Sequence, residues 1–310
     1  MTATIMLAKP YTPRKLVFPV MVSEKLDGVP ALIHITIKDL PGAWVGPTVH
    51  APMKPVLKWT AQTRQAKPFP SIAGQCEAFG ETLMNKGCKG TFVFVAEVTH
   101  TDADKPFKDV SGLCRQHEQC DELMLNVFDF YRPTDAGPDL MPFGKRIVLA
   151  AALVRSMHWC RMIPQCLCGD EFELARALTV AKMQRSNGFI PEGAVIRNCN
   201  DKWQAGKRGW GYQKVVEDPT TEVWITDFEE AISQDGEPLG MVGRLNGDWQ
   251  GQRIGVGPGK LTHDDRRTLW INGCVPMWAT VKYKRDPSYE KLRQPTFQHW
   301  RPDYTPEGET

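Results

Sequence analysis

Lys25 stands in the stretch Val22-Ser23-Glu24-Lys25-Leu26-Asp27-Gly28-Val29, where the pattern Lys-x-Asp-Gly places an amine after an apolar run and before a glycine turn. An amine held there could attack a phosphorus atom and carry a nucleotide as a phosphoramide. Lys, Asp and Gly are also common turn residues, so a solvated hairpin is the plain alternative for four residues taken alone. An ordinary lysine, with a pKa near ~10.4, is protonated at neutral pH and has no lone pair to attack with. The chemistry therefore asks for burial against the preceding run, for neighbouring cations such as Lys214 and Arg64, or for a metal at the phosphate.

Further candidates follow in chain order. Glu97 ends the run Phe92-Val93-Phe94-Val95-Ala96, and Glu192 opens Glu192-Gly193-Ala194-Val195-Ile196-Arg197 after Pro191. A buried glutamate is costly unless paired, so each reads as a salt-bridge partner or a ligand. Thr63-Arg64, Val127-Phe128-Asp129-Phe130, Gly206-Lys207-Arg208, Tyr212-Gln213-Lys214 and Trp300-Arg301-Pro302-Asp303 complete the series. Phe128 alone reads as core as readily as a ring that stacks on a base. In this order the motifs resemble those of the nucleotidyltransferase superfamily of ATP-dependent DNA ligases, RNA ligases and mRNA capping enzymes, over nearly the whole chain. Ser111-Gly112-Leu113-Cys114-Arg115 and Leu292-Arg293-Gln294-Pro295-Thr296-Phe297 bring the resemblance nearest to the compact bacteriophage DNA ligases.

The resemblance implies an ATP-dependent DNA ligase that seals nicks in double-stranded DNA through a lysyl-AMP on Lys25. It implies that Glu24, Leu26, Thr63, Arg64, Gln65, Glu97, Phe128, Lys207 and Lys214 bind the nucleotide, with Phe128 stacked on adenine and Glu97 on the ribose. Glu97 and Glu192 would hold Mg²⁺ or Mn²⁺, for which hard oxygen ligands and phosphates are suited. Asp27 would organise the metal or the nick terminus, and Arg64 the 5′-phosphate of the nick. Lys214 and Lys207 would oppose charge at the α-phosphate. Arg301 and Asp303 would orient pyrophosphate in the first step, with closure and reopening of two domains in each cycle. An RNA ligase, a GTP-using capping enzyme and a catalytically weak nick-binding protein are the competing readings. The chain departs from the family pattern at Pro30, where arginine is usual, at Val216 and Tyr304, where lysine is usual, and at Ala66, where glycine is usual.

A length of 310 residues suits two domains with cores that need no disulfides. The longest apolar run, Ile147 to Val154, is far short of the ~20 residues of a membrane span. With no signal-like opening, a monomer in the cytoplasm is the expectation. Nine irregularly spaced cysteines fit reduced thiols. Cys166 with Cys168, and Cys114 with Cys120, lack the spacer and histidines of structural zinc motifs. The tetracysteine module of NAD-dependent ligases is therefore missing, which favours ATP. A net charge of +2 is small, but Lys282, Lys284, Arg285, Lys291, Arg293, His299 and Arg301 crowd the end of the chain among Tyr283, Tyr289, Phe297 and Trp300. That cluster is either a solvated face or a phosphate-backbone contact.

The elements that must position these residues are mostly strands, read from short apolar and β-branched runs bounded by Gly, Pro and Asp: 15–23, 31–37, 56–60, 92–98, 123–130, 193–197 and 212–216. A helix is expected over 171–186, with Leu174, Leu178 and Ala181 on one face, Asp170 as N-cap, Glu173 completing a capping box, and Gly188 as the left-handed end. A second helix is expected over 144–157. Glu217-Asp218-Pro219 marks a boundary, followed by short strands near 222–228, 239–245, 252–256, 276–283 and 296–301. The expected fold class is α+β. An adenylation domain of antiparallel sheets with flanking helices spans 1–217, a small OB-type barrel spans 218–304, and a disordered tail spans 305–310.

Overall fold

The computed structural model describes residues 5–40, 54–102, 105–133, 141–155, 157–183, 192–216, 218–284 and 290–305. Pro191, Glu217, Arg285, Tyr289, the helix end expected at Gly188 and the tail from 306 lie outside the described residues. The chain divides into two compact units, Met1–Val216 and Glu217–Thr310.

The first unit runs β1 (Lys9–Pro10), β2 (Val20–Lys25), β3 (Val29–Leu40), β4 (Lys54–Thr63), α1 (Ala73–Asn85), β5 (Gly90–His100), α2 (Phe107–Cys114), β6 (Leu123–Tyr131), α3 (Phe143–Val154), β7 (Cys160–Met162), β8 (Cys166–Cys168), α4 (Glu171–Lys182), β9 (Gly193–Asn198) and β10 (Tyr212–Val216). These strands form two five-stranded sheets, ordered β1-β10-β9-β2-β8 and β4-β3-β5-β6-β7. All pairings are antiparallel except β1 with β10 and β6 with β7.

Side chains alternate across a strand, so each sheet has two distinct faces. Ile33, Ile35, Phe94, Ala96, Val98 and Leu125 turn one face of the second sheet toward Cys76, Phe79 and Leu83 of α1. In the first sheet, Val20, Val22, Ala194 and Ile196 pack on Leu174 and Ala177 of α4. The inner faces meet through a smaller cluster in which Leu32, Val93, Val95 and Tyr131 of the second sheet join Tyr212 of the first, with Ile5, Met6 and Trp203. Both sheets are thus covered outside by helices and face each other inside.

Several boundaries differ from the sequence expectation. The strand expected from Lys15 begins at Val20, because Pro13–Lys15 form a 3₁₀ turn and Pro19 has no N–H for a ladder. Asp170 caps α4 by accepting from Glu173 N–H, but the Glu173 carboxylate accepts from Gly169 N–H, so no reciprocal box forms. The helix ends at Lys182, with Met183 extended. The second expected helix spans Phe143–Val154 rather than 144–157. α1 and α2 were not anticipated.

The second unit contains β11 (Thr220–Ile232), β12 (Pro238–Trp249), β13 (Gln252–Val256), α5 (His263–Asn272), β14 (Met277–Lys284) and β15 (Arg293–Trp300). Its antiparallel sheet is ordered β13-β12-β11-β14-β15. β11 and β12 are long, 13 and 12 residues, where short strands were expected. Val223, Ile225, Val242, Leu245, Val256, Val281 and Phe297 fill the core. Gly257 and Thr296 form a parallel bridge that joins the sheet's two edges without a full ladder. α5, unanticipated, starts with a capping box between Thr262 and Asp265. Among the described residues no helix is long and apolar enough to cross a membrane.

Candidate active site

Lys25 is the last residue of β2 and lies opposite Gly193 in the ladder with β9. Its ammonium pairs with the carboxylate of Glu192, the residue just before β9. Register places Ser23 opposite Val195, and Val195 opposite Lys214, so Lys25 and Lys214 belong to the same face of the first sheet.

Glu97 comes from the second sheet, on the face that also carries Val93 and Val95. It is half-buried, and desolvation there pushes its carboxyl up to about 8; Lys25 opposes the rise, Asp27 and Glu192 add to it, and the Gly28 N–H bond to the carboxylate opposes it again. One ammonium and three carboxylates therefore lie within electrostatic reach of one another. Hard oxygen donors in that condition suit a divalent cation, with phosphates and water supplying the remaining ligands. Among the described residues no cluster of three His, Cys, Asp or Glu is already gathered at coordinating distance, so the donor set fits such an ion only in company with other oxygens.

Pro30 lies directly across from Glu97. The ladder between β3 and β4 stops at Ala31, so the missing Pro30 N–H costs that edge nothing. An apolar ring thus stands where the family pattern has a cation, beside Glu97. Asn126, fully buried, donates to Glu97 O and to the Thr99 hydroxyl, and accepts from Arg161 Nε at 2.6 Å. It fixes the strand end that presents Glu97.

Phe128 is half-buried and packs on the inner cluster with Tyr212. Arg64 and Gln65 are exposed at the tip of the turn after β4, which is closed by Thr63 N–H to Lys67 O at 2.8 Å and Ala66 N–H to Thr63 O at 2.9 Å. Ala66 takes φ +59°, the left-handed conformation that glycine favours, so the departure from the family pattern keeps the turn geometry. Burial raises the Tyr212 hydroxyl pKa; Arg197 and Arg64 lower it, while Glu97 and Asp129 raise it, which puts Arg64 within electrostatic reach of the inner faces.

The remaining expected residues stand apart from that set. Glu24 alternates away from Lys25 and lines a pocket of about 580 Å³ with Val22, Gln165 and Arg176. Leu26 borders a small pocket with Asp27, Thr99 and Arg161. Lys207 is exposed on the loop before β10. Arg301 and Asp303 belong to the second unit. There Arg301 pairs with Glu222 at 3.0 Å and Asp303 at 3.3 Å, and stacks over Tyr304 at 5.4 Å.

Sequence reasoning missed the group behind Phe128. Asp129 is fully buried between Arg146, 2.9 Å away, and Arg197, 2.5 Å away. Burial alone would raise its pKa, but the two guanidinium groups and their hydrogen bonds outweigh it and hold the carboxyl below the usual range. Charged residues inside the apolar runs 123–131, 143–154 and 194–197 were the available signal, since a buried charge needs a partner.

No protein-family model matches the chain, and no curated protein matches it in sequence. Solved structures do match. "Pmar-Lig_PreS3" superposes with a TM-score of 0.71 at 15% identity, over 96% of this chain and 67% of that one. A structure titled "DNA binding with a minimal scaffold: Structure-function analysis of Lig E DNA ligases" gives 0.65 at 17%, over 97% of this chain and 100% of that one. The ATP-dependent DNA ligase from bacteriophage T7 in complex with ATP gives 0.51 at 12%, over 96% and 98%. At such identities the likeness is one of architecture, and this chain has the fold of the ATP-dependent DNA ligases.

Proposed function

We propose that this chain is an ATP-dependent DNA ligase that seals nicks in duplex DNA through AMP carried on Lys25. The observation that carries the reading is a single amine at a strand end, paired with Glu192 and within electrostatic reach of half-buried Glu97. The shared fold supports it, and so do the ATP named with the T7 enzyme and the DNA binding named with the Lig E enzymes.

In the first step Lys25 Nζ, relieved of its proton, attacks the α-phosphorus of ATP; a P–N bond forms and the bond to pyrophosphate breaks. Glu192 aims the amine and is placed to receive that proton. Lys214, on the same sheet face, opposes the charge that grows on the α-phosphate oxygens. Phe128 offers its ring to adenine. A 5′-phosphate at a nick, met by Arg64, then takes the AMP from Lys25, and the 3′-hydroxyl displaces AMP to close the strand. Glu97 and Glu192, with Asp27 beside them, would hold Mg²⁺ or Mn²⁺, which neutralises phosphate charge when bound.

The OB-type reading of residues 218–304 is supported by the strand order, by α5 between the third and fourth strands, and by the parallel Gly257–Thr296 bridge. Arg301 and Asp303 from that unit are assigned to pyrophosphate. Incubation with α-labelled ATP and a divalent ion should label the protein, whereas Lys25→Ala should take no label, and the wild type should seal a 5′-phosphorylated nick. Labelling by GTP instead, or sealing confined to RNA, would replace this reading with one of its enzyme rivals.

A further inference from the structure

We propose that Arg161, acting through Asn126, is a positioning residue of the adenylation step: it clamps the end of β5 against β6 so that Glu97 and the Asp27–Gly28 turn stay in place beside Lys25. The chemistry rests on the ligase reading, whereas the clamp itself is a matter of geometry. The ladders put Pro30 opposite Glu97, Glu97 opposite Asn126 and Asn126 opposite Arg161, one row across β3, β5, β6 and β7. Residues paired in this way share a face of the sheet.

The row needs a clamp because the ladder beside it is interrupted. Val95 pairs with Asp129 and Ala96 with Val127, which leaves Phe128 as the extra residue of a bulge. A bulge re-aims a side chain and disrupts pairing locally, here just before Glu97. Asn126 restores the tie. Its fully buried amide donates to Glu97 O at 3.0 Å and to Thr99 Oγ1 at 2.9 Å, while its Oδ1 accepts from Arg161 Nε at 2.6 Å. The Asp27–Gly28 turn rests on the same stretch, since a Cβ added at Gly28 would come within 3.1 Å of Val98 O, Glu97 Cγ and Thr99 Cγ2. Arg161, Thr99 and Asp27 also border one small pocket.

A buried asparagine is usually a satisfied core residue and needs no more explanation than that. What sets this one apart is its partner. Arg161 is exposed on a three-residue edge strand, where a long side chain gains nothing from burial and loses rotamer freedom by being held. Among the described residues it pairs with no carboxylate, and the bond to Asn126 is its side chain's one hydrogen bond. A charge-assisted bond of that length orients the amide, and the oriented amide aims its N–H groups at β5. Across Glu97 from the clamp stands Pro30, whose ring has no donor to offer. The side-chain restraint on this strand end therefore comes from β6.

Arg161→Ala and Arg161→Gln test the clamp in the full chain. A glutamine places Nε2 the same number of bonds from Cα as an arginine places Nε, so Arg161→Gln keeps a donor to Asn126 and removes the charge. Arg161→Ala should slow labelling by α-labelled ATP roughly 10- to 10²-fold, the scale of a misplacement approaching ~1 Å. Amide hydrogen exchange over residues 97–100 should quicken about tenfold, as the loss of one charge-assisted hydrogen bond allows. Arg161→Gln should return both to within about threefold of wild type. Wild-type labelling and exchange in Arg161→Ala would overturn the clamp. So would slow labelling with unchanged exchange, or an Arg161→Gln protein as poor as Arg161→Ala, since the guanidinium would then act on substrate directly. Wild-type protein that takes no AMP would sink the ligase reading; the contrast in exchange between the two variants would still decide the clamp.

Discussion

A methyl group added at Gly28 would run into the Val98 carbonyl oxygen and lie 2.9 Å from Glu97 Cγ. The Lys-x-Asp-Gly pattern was legible, with its glycine read as permitting a tight turn and close nucleotide approach, and the structure adds a further reason. What excludes a side chain is the approach of β5, which brings Glu97 beside Lys25. Gly28→Ala should therefore push that strand away, and a shift near 1 Å can cost ~10²-fold in rate. The rate of AMP labelling measures it, and a variant as fast as wild type would show that β5 yields freely. Ala66 gives the opposite case, a side chain where the backbone asks for glycine, at φ +59°. Ala66→Gly should raise unfolding free energy by up to ~1 kcal/mol in urea titrations, the strain relieved less the entropy glycine adds to the unfolded chain.

Between the sheets, Arg197 of β9 holds Asp129 of β6, and Arg146 of α3 holds the same carboxylate from the other side. Three elements thus share one buried carboxylate just behind Phe128, and the spacing of the inner faces depends on it. Asp129→Asn takes from two buried guanidinium groups the carboxylate that bridges them, with Asp201 alone still in electrostatic reach of both, a loss of about 3–5 kcal/mol. The pH dependence follows from the direction of the shift. Because the folded carboxyl titrates below its usual 3.8, its contribution is complete above that value and disappears as pH falls through the lower folded value. Wild type should therefore exceed Asp129→Asn by a constant margin from neutral pH to about 4, and the two unfolding curves should converge below it. A margin that does not shrink in acid would assign the effect to packing. These partners were hard to foresee because pairing across sheets leaves no local spacing. The strands were legible from alternation, and Tyr212–Val216 matches residue for residue. α1 was not, since its buried stripe of Cys76, Phe79, Gly80 and Leu83 includes a glycine that packs against Leu57 and reads as a turn.

For the whole molecule, the question is whether the second unit takes part in chemistry centred on the first. Its strands were expected in roughly the right places, and Gln252–Val256 matches in full. What the sequence hid was the state of Arg301, because the partners that hold it are far apart along the chain: Glu222 opens the unit, and Thr280 donates to the Glu222 carboxylate from the neighbouring strand. Tyr304, standing where lysine is usual, packs edge-on against Trp278 at 5.0 Å and under the Arg301 guanidinium. The unit therefore presents one oriented guanidinium instead of two cations. If that group serves pyrophosphate, it matters only while ATP is being cleaved. Arg301→Ala should slow AMP labelling by about 10²-fold, the usual loss for one aimed charge-stabilising donor. Sealing of a nick already bearing 5′-adenylate should stay within a few-fold of wild type, because no pyrophosphate leaves in that step. Comparing the two rates in one preparation separates the outcomes. Equal loss in both would make Arg301 a structural partner of Glu222, and loss confined to sealing would move its role to the DNA.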